Sequence, residues 1–143
     1  MDIELFDIQR HDVNAVKTIL SMAIGDPIPE TLHSLLFEFY SDDDHPLFLS
    51  LENNHITGII GIDCSKKPSG IIEHLAVLPE YRRHGVGRFL IDQTEKILEL
   101  SSIELETDQY AVDFYRACGF NSAEVERNYP GIHRFRCIRN MIE

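Results

Sequence analysis

LAVLPEYRRHGVGRFLI, residues 75–91, is the stretch that decides how this chain folds. Its apolar start reads as the end of a strand closing at Val77, and Pro79 opens a short loop. From Val86 onward, Val86, Phe89, Leu90, Ile97 and Leu100 recur at helical spacing, giving a helix of about four turns. Arg82, Gly85 and Gly87 lie between strand and helix in the pattern RxxGxG. Glycine lets a backbone approach a ligand closely. The first turn of a helix leaves its N–H groups unpaired, and the helix dipole adds positive potential there. Such a turn suits an anion, a pyrophosphate above all. A Walker loop needs GxxxxGK[ST], which is absent. A dinucleotide fingerprint needs GxGxxG directly after its strand. Here a seven-residue loop intervenes, and Leu90 stands at the third glycine position.

Downstream of this stretch, residues 103–107 read as a short strand and residues 109–118 as a helix stopped by Gly119. Residues 120–126 and 132–139 read as two last strands. On the other side, residues 2–8 read as a strand. Asp12 caps a helix with apolar positions Val13, Val16, Leu20 and Ala23 and a stop at Gly25. Pro27 and Pro29 open a second helix with an apolar face of Leu32, Leu35, Leu36 and Phe39. Leu47, Leu49 and Leu51 alternate as a strand, Asn53-Asn54 makes a turn, and residues 56–62 return. After a turn at residues 67–70, residues 71–77 form the strand that leads into the glycine turn. The order β-α-α-β-β-β-α-β-α-β-β predicts an α/β fold. Its central sheet is mixed, mainly antiparallel, with helices on both faces, and residues 1–143 make one domain.

Lys plus Arg total 13 against 24 Asp plus Glu, so the chain carries a net charge of −11. That charge repels phosphate backbones and argues against nucleic acid as a partner. It is compatible with a cationic one. No apolar run approaches the ~20 residues of a membrane span, and the acidic start lacks the features of a secretory signal, so a cytoplasmic location is expected with no membrane partner. Cys64, Cys118 and Cys137 are odd in number and form no CxxC pair, which predicts small buried thiols. The histidines show no metal-ligand spacing, so no metal is expected.

RxxGxG after LAVLPEYRR resembles motif A of the GNAT superfamily of N-acyltransferases. A second match lies downstream, where Asp108, Ala111, Tyr115, Gly119 and Phe120 stand at the spacings of that family's Asn-x-x-Ala-x-x-x-Tyr-x-x-x-Gly-Phe. The resemblance implies an acetyl-CoA-dependent N-acetyltransferase that passes the acetyl group directly to an amine. It implies that the strand at 71–77 splays from the strand at 103–107, with the pantetheine in the V pairing with Leu75, Ala76 and Val77. It places the pyrophosphate on the N–H groups of Arg83, His84, Gly85, Val86, Gly87 and Arg88. Arg82, Arg83 and Arg88 add charge to the phosphates or lie solvated at the surface. The family's Asn is Asp108 here. A carboxylate only accepts hydrogen bonds, so Asp108 accepts from a pantetheine amide or caps the following helix.

Tyr115 lies where the family places its general acid, a phenol that protonates the departing thiolate; the other reading is a half-buried core tyrosine. Glu73 is the candidate base for the protonated amine, with water as the alternative. Strand alternation puts Glu73 on one face with Ile71, Leu75 and Val77, and His74 on the other. The acceptor is expected to be a small-molecule amine, with Asp42, Asp43 and Asp44 favouring a cationic one. The resemblance also brings homodimers into view and leaves the oligomeric state open. Two rival functions fit the same residues. An acyl-CoA sensor would bind without turnover and would not need Tyr115. A different phosphate-ligand protein would be stabilised more by ATP or NAD than by acetyl-CoA.

Overall fold

The computed structural model describes residues 1–24, 28–126 and 130–141. The elements run β1 (Asp2–Leu5), α1 (Val13–Ser21), α2 (Pro29–Phe37), β2 (Leu47–Glu52), β3 (His55–Lys66), β4 (Ser69–Val77), α3 (Val86–Leu98), β5 (Ser102–Asp108), α4 (Val112–Ala117), β6 (Asn121–Val125) and β7 (Arg134–Asn140). The strands form one sheet in the order β1-β2-β3-β4-β5-β7-β6. Every neighbouring pair is antiparallel except β4 and β5, which α3 joins as a parallel crossover. This is the mixed, mainly antiparallel α/β sheet that the order of elements predicts.

Local chemistry accounts for the element ends. Asp12 Oδ1 accepts from the N–H groups of Asn14 and Ala15, at 3.0 and 3.2 Å, and so starts α1. The expected stop at Gly25 and Pro27 ahead of the second helix lie outside the described residues. Pro29 takes the first turn of α2, where a missing N–H costs nothing. That helix ends at Phe37, and a 3₁₀ turn at Phe39–Ser41 carries the chain on. β1 ends at Leu5, short of the residue 8 expected, and Asp7 Oδ1 accepts from Gln9 N–H in the turn that follows. Asn53 and Asn54 both take positive φ, which matches the right-handed twist of a two-residue hairpin.

Apolar cores cover both faces of the sheet. On one face Val16, Ile19, Leu20 and Leu36 pack on Leu47, Leu49, Leu51, Ile59 and Ala76. On the other Val86, Leu90, Ile91 and Val112 pack on Ile60, Ile62, Ile72, Ile103, Leu105 and Cys137. β2 is buried on both sides, so it reads LFLSL without polar alternation. Ser50 is accommodated there by a 2.8 Å hydrogen bond to Thr57. The three thiols are free and buried, and burial pushes each above the ordinary thiol range. Among the described residues no helix is long and apolar enough to cross a membrane.

Two irregularities in β4 shape the rest of the molecule. First, β4 and β5 pair only through Ser69–Ser102, Gly70–Ile103 and Ile71–Glu104. Beyond Ile71 the strands part, and residues 72–77 pair with β3 alone. Second, the β3–β4 register jumps, with Gly61 opposite His74 and Ile62 opposite Ile72, so Glu73 is one residue too many. This bulge corrects the expected facing of Glu73. Ile72, Leu75 and Val77 all pack into the α3-side core, although 72 and 75 differ by three. Glu73 and His74 therefore both turn toward the α1–α2 side. Simple alternation fails because a bulge resets the pleat by one residue.

Candidate active site

The glycine turn begins where β4 ends. Leu78 N–H donates to Thr57 O at 2.8 Å, and Arg82 Nε donates to Val77 O at 3.0 Å. Arg82 thus ties the loop to the end of the strand. Arg83 and Gly85 both have positive φ, 66° and 78°. That double left-handed bend turns the chain into α3 and explains a glycine at 85. Gly85 is the N-cap of α3, and no side chain caps the helix there. The first N–H groups of α3 therefore stay open, with the dipole behind them. Gly87 has a packing reason, since a Cβ would lie 2.7 Å from the Phe114 ring.

The residues of that first turn line a cleft of about 720 Å³. One wall is the free β4 segment, Leu75, Ala76 and Val77. The floor at one end is the turn, contributed by Arg82, Arg83, Gly85, Val86, Gly87 and Arg88. The opposite wall is Tyr110, Ala111, Phe114 and Tyr115 from the start of α4. Parting of β4 from β5 creates this space, and α4 fills only its far side. Three arginines at one end make a local positive patch in a chain of net charge −11. His84 does not line the cleft.

Tyr115 is 8% exposed and stands edge-on to Phe114 and Phe120, at 5.0 and 5.6 Å between ring centroids. Its hydroxyl has no hydrogen-bond partner among the described residues. Burial, with Cys137 and Cys118 nearby, holds its pKa above the ordinary phenol value, so it keeps its proton at neutral pH. Asp108 does not line the cleft. Its Oδ1 accepts from Tyr110 and Ala111 N–H at 2.9 and 3.1 Å, which is the capping role. The helix itself begins at Val112, three residues later than its sequence pattern suggests, because this capped turn takes up the interval.

Glu73 sits across the strand from the cleft, in an acidic setting. Burial and then the Asp63 charge raise its pKa, and His45 partly offsets them. His45 lies 3.7 Å from Asp63 and 4.0 Å from Asp42, stacked on Phe39. Beside it, Tyr40 Oη and His74 Nδ1 are 2.5 Å apart. Tyr40 and the cleft-lining Tyr110 and Phe114 were not legible as site residues. The only signal was aromatic type, which reads equally well as core.

The fold and this cleft together describe an α/β chain with an open cleft, lined by arginines at one end, where two parallel strands part. The chain matches the Acetyltransferase (GNAT) family over residues 13–120 and belongs to it. A Bacillus subtilis (strain 168) protein, an acetyltransferase by name, is 30% identical over 67 residues, 45% of this chain and 46% of that protein. The chain thus matches about half the length of that relative. Among solved structures, an aminoglycoside 6'-N-acetyltransferase complexed with coenzyme A superposes with a TM-score of 0.85 at 15% identity, covering 100% of this chain and 98% of that one. The ribosomal-protein-S18-alanine N-acetyltransferase from Escherichia coli superposes with a TM-score of 0.77 at 22% identity, covering 97% and 92%. At those identities the likeness concerns the fold.

Proposed function

We propose that residues 1–143 form one N-acetyltransferase domain that binds acetyl-CoA in the β4–β5 cleft and acetylates a small-molecule amine. The observation that carries this is the uncapped start of α3 opening into the same cleft as the free edge of β4. The α3 N–H groups and the arginines would hold the pyrophosphate, and β4 would pair with the pantetheine amides. An extended pantetheine arm is roughly 15 Å long, about four to five residues of strand at ~3.3 Å each. Counted back from Leu78, it brings the thioester beside Glu73 and His74. The amine nitrogen bonds to the acetyl carbon, the C–S bond breaks, and the thiolate takes the Tyr115 proton. The second proton that the nitrogen sheds on becoming an amide is balanced through solvent by reprotonation of the Tyr115 phenolate. Glu73 accepts the proton the ammonium must lose before attack.

Gly85→Glu tests the binding site. The position is open, with no atom within 4 Å of a built Cβ, so strain rather than collision is the structural consequence. Left-handed backbone costs a non-glycine residue roughly 1–2 kcal/mol, and an acidic residue at a helix start is otherwise tolerated. The carboxylate would lie where the pyrophosphate belongs. Calorimetry should find acetyl-CoA affinity reduced by more than about 10-fold, the equivalent of ~1.4 kcal/mol. Gly85→Ala carries the same strain without the charge and should bind nearly as wild type. Equal affinity in wild type and Gly85→Glu would remove the assignment.

Glu73 makes a pH prediction. Its carboxyl titrates above the ordinary carboxylate range, and the base is the deprotonated form. The acid limb of kcat/KM should therefore lie above that range and move to lower pH in Asp63→Asn, which removes a charge that raises the Glu73 pKa. Glu73→Gln should lower kcat/KM and abolish this limb. An unaltered profile in Glu73→Gln would leave deprotonation to water.

A cationic acceptor is favoured by the acidic groups Asp42 and Asp63 around His45 and Glu73. Steering by exposed charges is screened beyond ~8 Å at physiological salt. For a polyamine, kcat/KM should fall as salt rises, and fall less once Asp42, Asp43 and Asp44 are Asn. A rate indifferent to salt would exclude steering.

A further inference from the structure

The Tyr40–His74 pair joins the 3₁₀ turn that follows α2 to the bulge in β4. Tyr40 Oη lies 2.5 Å from His74 Nδ1, and the two rings meet edge-on at 5.7 Å. Gly61, opposite His74 in the sheet, is what lets the phenol reach this far. A Cβ at residue 61 would stand 1.8 Å from Tyr40 Oη. The contact is thus built into three separate elements.

The direction of the hydrogen bond follows from satisfaction. Tyr40 is 8% exposed, and burial, followed by the Glu73 charge, raises its pKa, so it keeps its proton. Among the described residues its hydroxyl has one hydrogen-bond partner, His74 Nδ1. A buried hydroxyl with a single acceptor in reach donates to it. Burial lowers the His74 pKa, which keeps the ring neutral at neutral pH. A neutral imidazole that accepts at Nδ1 carries its hydrogen on Nε2. His74 Nε2 has no partner among the described residues and is not among the buried unpaired atoms. It is a donor in need of an acceptor, and it is not a base.

The bulge turns His74 and Glu73 to the same side of the sheet, away from α3. Their Cα atoms are consecutive, ~3.8 Å apart. One residue offers a carboxylate and its neighbour an N–H. We infer that the acceptor carries an oxygen on the carbon next to its aminated carbon, a 1,2-amino alcohol or an α-amino carbonyl compound. In this arrangement Glu73 takes the amine, His74 Nε2–H donates to the oxygen, and Tyr40 is the positioning residue that fixes the tautomer. This rests on the transferase reading above and narrows its acceptor class.

Two measurements on the full chain test it. Long-range ¹H–¹⁵N NMR at pH 7 should find neutral His74 with hydrogen on Nε2, and a mixture of tautomers in Tyr40→Phe. Acetyl-CoA-dependent thiol release should then be compared for 2-amino alcohols and amino-acid amides against the matching alkylamines. The oxygenated member of each pair should be favoured in kcat/KM by about 10-fold, the size of one net hydrogen bond. His74→Phe should bring that ratio close to 1, while His74→Gln, which keeps an N–H donor, should restore part of it. Hydrogen found on Nδ1, a ratio near 1 in the wild type, turnover confined to amines without a neighbouring oxygen, or a ratio unchanged in His74→Phe would each overturn the proposal. Failure of wild-type chain to bind acetyl-CoA by calorimetry would instead overturn the transferase reading itself.

Discussion

Replacing Tyr115 by Phe is expected to lower kcat by about 10²–10⁴-fold, the usual contribution of a positioned general acid. The ring stays, so its edge-on packing with Phe114 and Phe120 is retained. Only a hydroxyl with no protein partner among the described residues is removed, and the fold should hardly notice. Acetyl-CoA affinity should change little, since residues 75–77 and the glycine turn are untouched. Because burial keeps the phenol protonated well past neutrality, the proposed transferase activity of the wild type should lose nothing to Tyr115 ionisation at moderately alkaline pH. Steady-state kinetics with thiol detection, paired with calorimetry, separate the two effects. Wild-type turnover in Tyr115→Phe would show that the thiolate leaves unaided or is protonated by water. It would return Tyr115 to the core, whereas a wild type that bound acetyl-CoA without any turnover would instead favour a sensor without catalysis.

Arg139→Met is expected to produce the largest loss of stability, through a site remote from the chemistry. Arg139 Nε donates to Glu95 Oε1 at 2.8 Å, and a second bond from its Nη2 reaches the same carboxylate. Nη2 also donates to Asp92 Oδ1 at 2.9 Å, and Nη1 to Cys118 O at 2.6 Å. The guanidinium lies 5.3 Å from the centre of the Phe120 ring. One side chain on β7 thereby holds α3 and the end of α4 together. Glu95 is only 8% exposed, and removing its partner leaves a buried charge uncompensated. Such a loss costs about 3 kcal/mol or more, which for a chain of this size lowers Tm by about 10 °C.

The pH dependence of that deficit has a definite sign. Without Arg139, the pKa of Glu95 rises further above its unfolded value, because Arg139 is what lowers it. A carboxyl raised on folding favours the folded state at low pH and loses that advantage as pH rises. The deficit should be larger at pH 7.5 than at pH 5. Adding Glu95→Gln to Arg139→Met should recover part of it. Thermal unfolding at the two pH values decides the matter, and a shift no larger than an ordinary surface substitution gives would deny Arg139 this role.

Much of the molecule was legible from residues near each other in sequence. The Asp12 cap, the Asn53-Asn54 hairpin and the order of elements all depend on interactions spanning a few residues. So does the turn at 82–87, where positive φ at Gly85 and an uncapped helix start are local properties of the chain. The register from Ala111 to Phe120 similarly places Tyr115 on the short helix that walls the cleft.

Tertiary structure alone decided what those local elements do together. Ile71 and Glu104 are the last paired residues of β4 and β5, and nothing in either strand's own sequence announces that they part there. The extra residue at Glu73 is invisible to an alternation rule, since a bulge is a mismatch between two strands and not a property of one. It moved Glu73 and His74 to a common face and so changed what each can touch. Tyr40 meets His74 across 34 residues, and Arg139 meets Glu95 across 44. Hydrogen bonds and ion pairs depend on distance in space and on exclusion of water. Sequence supplies the groups, and the folded chain alone sets which of them come within reach and how dry the place is where they meet.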